Sequence, residues 1–271
     1  MSSDEESRGL EFVQYFRITP ENLRNSVGTS PQQQGKPQPP LEKEYDPNIE
    51  LIDLPPIDTI KTKDIKLRDA IIHRRSIRNF TEEPPTIDEL SWLLYATQGI
   101  QSTHEVGTIW VTRVNNCRAT LRPVVSGGAI HPFETYLLIR NCKGLKKGLY
   151  RYIASRHKLF SIDQSEDINE RISKGCLNQT GKNAPILFIW TAIPSRSTWH
   201  YGDLGYWAIY VDIGHVSQQL YLAAEDVGDG VCTIAWYDAD ALEEALDVDG
   251  SNEYIVLTAA VGKRPEIIID P

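Results

Sequence analysis

Five apolar runs read as strands: "FETYLLIRN", "GLYRYI", "PILFIWTAI", "GVCTIAW" and "EYIVLTAAVG". One long helical stretch separates the third from the fourth. In that stretch, residues 207–227, the side chains Ile209, Ile213, Val216, Leu220, Ala223, Ala224 and Val227 recur at helical spacing, and Gly228 ends it. Two shorter helices precede the strands. "DIKLRDAIIHRR" carries Leu67, Ala70 and Ile71 in helical register; in "TIDELSWLLYATQG", Thr86 and Glu89 form a capping box and Gly99 is the stop. Helices and strands therefore intermix without a regular strand-helix-strand beat, which favours an α+β fold over a doubly wound parallel sheet.

Upstream of residue 51 the composition changes. "VGTSPQQQGKPQPPLEKEYDP", residues 27–47, is rich in Pro, Gln and charge and short of branched apolar residues, so it reads as an extended arm or linker. Before it, "LEFVQYFRITPENL" holds enough aromatic residues to dock on something. The expected organisation is an arm and linker over residues 1–50 and a compact domain over 51–271. With 41% hydrophobic and 24% charged residues, that domain can bury an ordinary globular core. No apolar run approaches the roughly 20 residues a membrane crossing needs, and "MSSDEESRGL" lacks a signal-peptide pattern, so a cytoplasmic location is expected. Cys117, Cys142, Cys176 and Cys232 lie far apart with no CxxC spacing, which points to neither a zinc ribbon nor a redox dithiol. No metal site is expected.

"IIHRRSIRNF", residues 71–80, runs against a formal net charge of −9. One basic cluster in an acidic chain suggests a specific anion rather than a polyanion such as nucleic acid. If the helix ends near His73 and the chain then extends, Arg74, Ser76, Arg78 and Phe80 project to one face and Arg75, Ile77 and Asn79 to the other. Guanidinium forks around a hydroxyl make a phosphate seat. A solvated basic helix end fits the same residues equally well. Two further features sit elsewhere in the chain: Lys263 and Arg264 where the last strand ends, and the turn "VVSGGAIHPFE", in which Ser126, Gly127 and Gly128 permit close backbone approach. Each also has a plain structural reading, a solvated tail and a tight connection. No GxGxxG after a strand, GxxxxGK[ST], HExxH or GxSxG motif competes.

Taken in order, "RRSIRNF", "LSWLLYATQGI", "SGGAIHPFETYLLIRNCKGLKKGLYRY", "GYWAIYVDIGHVSQQLYLAAEDVG", "CTIAWYDADAL" and "AVGKRP" resemble the nitroreductase-like flavoproteins, specifically the SagB-type dehydrogenase branch. The likeness covers residues 67–265. It implies a central mixed or antiparallel sheet flanked by helices, an intertwined homodimer, and FMN at the subunit interface. By the same resemblance Arg74, Ser76 and Arg78, with Arg75 among them, match the positions at the FMN phosphate, ribityl chain and pyrimidine edge. Lys263 and Arg264 match basic positions near the phosphate. Ser126, Gly127 and Gly128 match the turn that approaches the flavin, and Ile234 and Ala235 match a loop beside it, where Trp236 stands in place of a commoner small residue.

In azoline-oxidising members a Lys-Tyr pair precedes the long helix and is associated with proton removal. Tyr201 fits that pair, and His200 stands where lysine would. A neutral imidazole can accept a proton at cellular pH. The resemblance thus implies dehydrogenation of peptide thiazolines or oxazolines to azoles. Two alternatives stay open: an NAD(P)H-dependent reductase of nitro compounds or quinones, and an FMN-binding or idle partner subunit of a peptide-modifying assembly. His131, His215, Gln218 and Gln219 have the simpler reading of packing or interface residues.

Overall fold

The computed structural model describes residues 7–21, 29–106, 117–177, 179, 181 and 183–265. Along the chain run α1 (Ser7–Tyr15), β1 (Leu51–Asp53), α2 (Leu67–His73), α3 (Ile87–Gln98), β2 (Ser102–Val106), β3 (Cys117–Leu121), β4 (Phe133–Ile139), β5 (Gly148–Ile153), β6 (Lys158–Asp163), α4 (Ile168–Gly175), β7 (Ile186–Ala192), α5 (Pro194–Tyr201), α6 (Leu204–Val227), β8 (Asp229–Ile234), α7 (Ala239–Leu246) and β9 (Tyr254–Lys263). Seven strands form one sheet in the order β1-β6-β5-β4-β7-β9-β8, every pairing antiparallel, while β2 and β3 make a separate ribbon. The fold is α+β, as the run of elements implied.

Strand periodicity sorts the core into two layers. On β4 and β7, Leu137, Ile139, Phe188 and Trp190 face a cluster closed by α3 and α6, and Tyr136, Leu138, Leu187 and Ile189 face a cluster closed by α4 and α7. Both strands are buried along their whole length, which is why they read as unbroken apolar runs rather than as alternating ones. The capping box at Thr86 forms, with Glu89 N–H donating to the Thr86 hydroxyl and Thr86 N–H donating to the Glu89 carboxylate. The long helix begins at Leu204 rather than at Trp207, because Gly202 and Asp203 turn the chain directly out of α5.

A pair of glycines fixes the approach of the basic segment. Gly230 on β8 stands opposite Gly262 on β9. A Cβ at Gly230 would lie 2.7 Å from the Ile77 Cβ, and one at Gly262 would lie 2.8 Å from the Phe80 ring. With no side chains there, residues 76–81 press onto the sheet edge: Ser76 bridges Val231 in parallel, Ile77 N–H donates to the Val231 carbonyl at 2.9 Å, and Thr81 N–H donates to the Lys263 carbonyl at 2.9 Å.

The Pro- and Gln-rich arm is docked over residues 29–45, and where composition implies an extended spacer its first described stretch, residues 29–35, instead folds into turns closed by its own backbone hydrogen bonds. Ser30 and Gln32 are buried. The Trp199 indole donates to the Lys36 carbonyl at 2.9 Å, and the Arg196 guanidinium donates to the Pro40 carbonyl at 2.8 Å. Arg196 also pairs with Glu134 at 2.7 Å, both fully buried, and Glu134 accepts the Lys43 backbone N–H at 2.7 Å. The upstream aromatic segment docks as well, with Phe16 stacked on Trp207 and the Tyr15 hydroxyl donating to Asp203. The change of composition at residue 50 therefore does not mark a break in contacts.

Gly230→Val tests the close approach. Forcing a branched side chain against Ile77 should cost roughly 1–3 kcal/mol, read as a lowered urea midpoint at unchanged slope. An unchanged midpoint would mean that residues 76–78 yield freely.

Candidate active site

The turn between β3 and β4 has an unusual backbone. Gly128, Ala129 and His131 all take left-handed φ, at 62°, 54° and 49°. Only the glycine does so without steric cost, so two of the three positions are strained and need support from outside the turn. Support comes from Asp212 on α6, which is 4% exposed. Its carboxylate accepts the Ser126 hydroxyl at 2.5 Å and the Gly127 N–H at 3.1 Å. Ser126 Oγ in turn accepts the His131 N–H at 2.9 Å. Burial raises the Asp212 pKa, and the bonds from Ser126 and Gly127 act against that rise.

Tyr201, the last residue of α5, stands over this turn. A Cβ at Gly127 would come within 3.3 Å of its hydroxyl, and one at Gly128 within 3.1 Å. The glycines are thus what lets the phenol approach the backbone. Burial raises the Tyr201 pKa, and the Asp212 charge raises it further, so the phenol keeps its proton at neutral pH. His200 packs edge-on against Tyr201, ring centroids 4.4 Å apart and planes at 89°. Its Nδ1 is hydrogen-bonded to the Gln32 side-chain oxygen. Burial lowers the His200 pKa, which leaves a neutral imidazole at neutral pH. His131 is buried at 3% exposure, and burial followed by the Arg122 charge pushes it down to about 3. It remains a neutral structural residue.

The basic residues divide by partner. The Arg74 guanidinium lies over the Tyr221 ring at 5.1 Å, and Ser76 Oγ is 3.0 Å from the Tyr221 hydroxyl, so Tyr221 gathers these two. Arg75 donates to the Ile72 and Arg74 carbonyls, a helix-end role. Arg78 lines a cavity of about 410 Å³ together with Asn79, Phe80, Thr81, Gln179, Asn183 and Pro185. Among the described residues none of Arg74, Arg75 and Arg78 is ion-paired. The C-terminal pair differs. Lys263 is held by Glu89 and by Asp229 at 3.0 Å, and Arg264 pairs with Glu225 at 2.6 Å. Burial works to lower the Lys263 pKa, and the two carboxylates outweigh it and raise it, so the lysine keeps its charge.

Ile234 closes β8 with its side chain buried beside Phe80, Cys232, Ala184 and Ala260, whereas Ala235 and Trp236 follow the strand in solvent, Trp236 at 73% exposure. The bulk at 236 therefore does not fill the space beside the turn within this chain. His215 and Gln218 are exposed on α6 and Gln219 is half-buried.

Sequence reasoning missed Asp212, Tyr221 and Gln32. For Asp212 a signal existed: with Ile209, Ile213 and Val216 it falls on the apolar stripe of α6, and a carboxylate on a buried face needs a partner. Gln32 offered none, lying in a polar tract.

The sequence matches the profile of the nitroreductase family over residues 71–263. A Methanocaldococcus jannaschii protein provisionally named a nitroreductase is 33% identical over 216 residues, which make up 79% of this chain and 97% of that relative. Among solved structures, one from Anabaena variabilis, also provisionally named a nitroreductase, superposes with a TM-score of 0.68 at 22% identity. That match covers 93% of this chain, which spans only 45% of the Anabaena chain. The Escherichia coli microcin synthetase McbBCD complex with truncated pro-MccB17 bound superposes with a TM-score of 0.54 at 16% identity, covering 92% of this chain and 83% of that one. These structural matches speak to the fold.

Asp212→Ala should remove the acceptor for two donors and lower stability by roughly 1.5–3 kcal/mol, measured by urea unfolding. A midpoint equal to wild type would mean that the turn holds its left-handed residues unaided.

Proposed function

The chain belongs to the nitroreductase family of oxidoreductases, and on that premise we propose that it is an FMN-dependent dehydrogenase of the SagB type, converting thiazoline or oxazoline rings in a peptide to azoles. The observation that carries this reading is the Tyr201 hydroxyl poised over the Gly127–Gly128 backbone, with His200 packed against it. Both sit at the end of α5, ahead of the long helix. The fold shared with the microcin synthetase complex supports a peptide-modifying setting.

The residues present fit FMN. Arg74 is half-buried, oriented by Tyr221 and without a carboxylate partner among the described residues, so with Ser76 it offers a charged fork and a hydroxyl to a phosphate. Arg78 opens on a separate cavity, apart from the Arg74 and Ser76 pair at Tyr221, and offers its guanidinium there. Lys263 and Arg264 are already matched by Glu89, Asp229 and Glu225, so they add little net positive charge for an anion. The face of the turn that Gly127 and Gly128 leave without side chains is taken by the Tyr201 hydroxyl, so a flat ring seated beside the turn would meet the phenol as well as the backbone. Bound FMN supplies a two-electron acceptor for hydride.

Azoline oxidation removes two hydrogens, one from a ring carbon as a proton and one from another as hydride. His200, neutral at the working pH, accepts the proton; Tyr201, protonated, donates a hydrogen bond to the ring heteroatom or the adjacent carbonyl and orients the substrate. Asp212 keeps the turn beneath Tyr201 in place.

The apolar surface supports a homodimer with the site at its interface. α2 packs along α6, and the two leave Leu67, Ile71, Ile72, Tyr206 and Tyr210 in solvent. A second reading, NAD(P)H-driven reduction of nitro compounds or quinones, is favoured by the name of the M. jannaschii relative; it needs no base at position 200.

Arg74→Ala should weaken FMN binding about 10- to 150-fold, the equivalent of one charge-assisted bond of roughly 1.5–3 kcal/mol, by fluorescence titration, and sedimentation of the loaded wild-type protein should give a dimer. Wild-type affinity in the variant would return the arginine to a solvated helix end, and a flavin-loaded monomer would remove the shared-site arrangement.

His200→Ala should keep flavin and lose about 10²- to 10⁴-fold in azoline turnover, followed by the loss of two hydrogens in the peptide mass. In the wild type, kcat/KM should fall on acidification with a midpoint below the usual 6.5 of histidine, because burial depresses the His200 pKa and only the neutral imidazole accepts a proton. Undiminished turnover in the variant, or an acid limb above that value, would take the base role from His200.

A further inference from the structure

The N-terminal arm reaches the candidate active site through one residue. Gln32 is 5% exposed, and its N–H donates to the Trp199 carbonyl on α5 at 2.9 Å. Residues 30–36 form a tight turn around it, with Gln34 N–H donating to the Ser30 carbonyl, Gly35 N–H to the Gln32 carbonyl and Lys36 N–H to the Pro31 carbonyl, at 2.9 to 3.0 Å. The turn is locked from the other side by the Trp199 indole on the Lys36 carbonyl. Both the backbone and the burial of Gln32 therefore restrict where its side chain can go. It goes to His200, where Oε1 meets Nδ1.

A neutral imidazole has one nitrogen that donates and one that accepts, and the partner of the first decides the identity of the second. We propose that Gln32 is the positioning residue for His200: its side-chain oxygen accepts the Nδ1 proton, holding the lone pair on Nε2 as the base. Among the described residues Nε2 has no hydrogen-bond partner, so it is left available to substrate. The edge-on contact with Tyr201 fixes the ring plane, and Gln32 fixes the tautomer. The arm, whose composition suggests a spacer, thereby becomes part of the catalytic apparatus. The catalytic half of this proposal rests on the reading of His200 as the base; the tautomer does not.

The experiment uses the full chain labelled with ¹⁵N-histidine, the His200 signals being assigned by their loss in His200→Ala. Wild-type protein at neutral pH should show His200 with its proton on Nδ1. Gln32→Leu should shift it towards the Nε2-protonated form and lower kcat on the order of 10²-fold with little change in KM. Gln32→Glu, which retains an acceptor oxygen, should restore the Nδ1 proton. A wild-type His200 protonated on Nε2 overturns the proposal by itself, whether or not any variant folds. An unchanged tautomer in a folded Gln32→Leu overturns it equally. A shifted tautomer with undiminished azoline turnover would uphold the contact and remove His200 as the base, so the two failures are distinguishable.

Discussion

A single buried carboxylate organises the candidate site. Asp212 lies on the core face of α6 and receives the Ser126 hydroxyl and the Gly127 N–H, anchoring a turn in which two residues other than glycine take left-handed backbone. Strain of this kind persists only where the surroundings over-determine it. Here they do: α6 contributes the acceptor, β4 begins immediately after the turn, and Tyr201 packs on its open side. Without that anchor the glycines would be free to relax, and the phenol would have no fixed surface to face. The helix that closes the core also holds the floor of the site, so stability and chemistry share one element.

Charge is arranged around the same helix. Glu225, near the C-terminal end of α6, matches Arg264, while Asp229 just beyond it joins Glu89 in matching Lys263. Glu89 serves twice, as the third residue of a capping box and as an ion-pair partner. These pairs tie β9, α3 and α6 together at the sheet edge where residues 76–81 add on. Arg74, Arg75 and Arg78, by contrast, have no carboxylate partner among the described residues, in a chain whose formal net charge is −9. In an acidic protein, the unmatched Arg74 guanidinium gathered with the Ser76 hydroxyl at Tyr221 suits a compact anion.

The architecture was largely legible in the sequence. Fully buried strands such as β4 and β7 announce themselves as apolar runs, and the caps at Thr86 and Gly228 bound their helices by local chemistry alone. α2 ends at His73, the point that the reading of the basic segment supposed. The site was legible only in parts. That Ser126, Gly127 and Tyr201 would meet depends on a contact between α5 and a turn some seventy residues earlier, which no local pattern encodes. Simple alternation placed Arg74, Ser76, Arg78 and Phe80 on one face; in the structure Arg74 and Ser76 gather at Tyr221, while Arg78 and Phe80 line a separate cavity. One bridging residue pair at a sheet edge does not enforce strand geometry over seven residues. Lys263 and Arg264 look like free cations in sequence because their carboxylate partners come from distant segments. The arm was the largest surprise: polar composition implies a spacer, but backbone carbonyls of such a segment are good acceptors for buried Arg196 and Trp199.

The central claim is that electrons enter the site from an azoline ring with His200 taking the proton. It is tested most directly by mixing the FMN-loaded protein anaerobically with a thiazoline-containing peptide and following the visible flavin band. The account predicts bleaching without any NAD(P)H, slowed by two or more orders of magnitude in His200→Ala. Bleaching by NAD(P)H alone, with the azoline peptide inert, would contradict it.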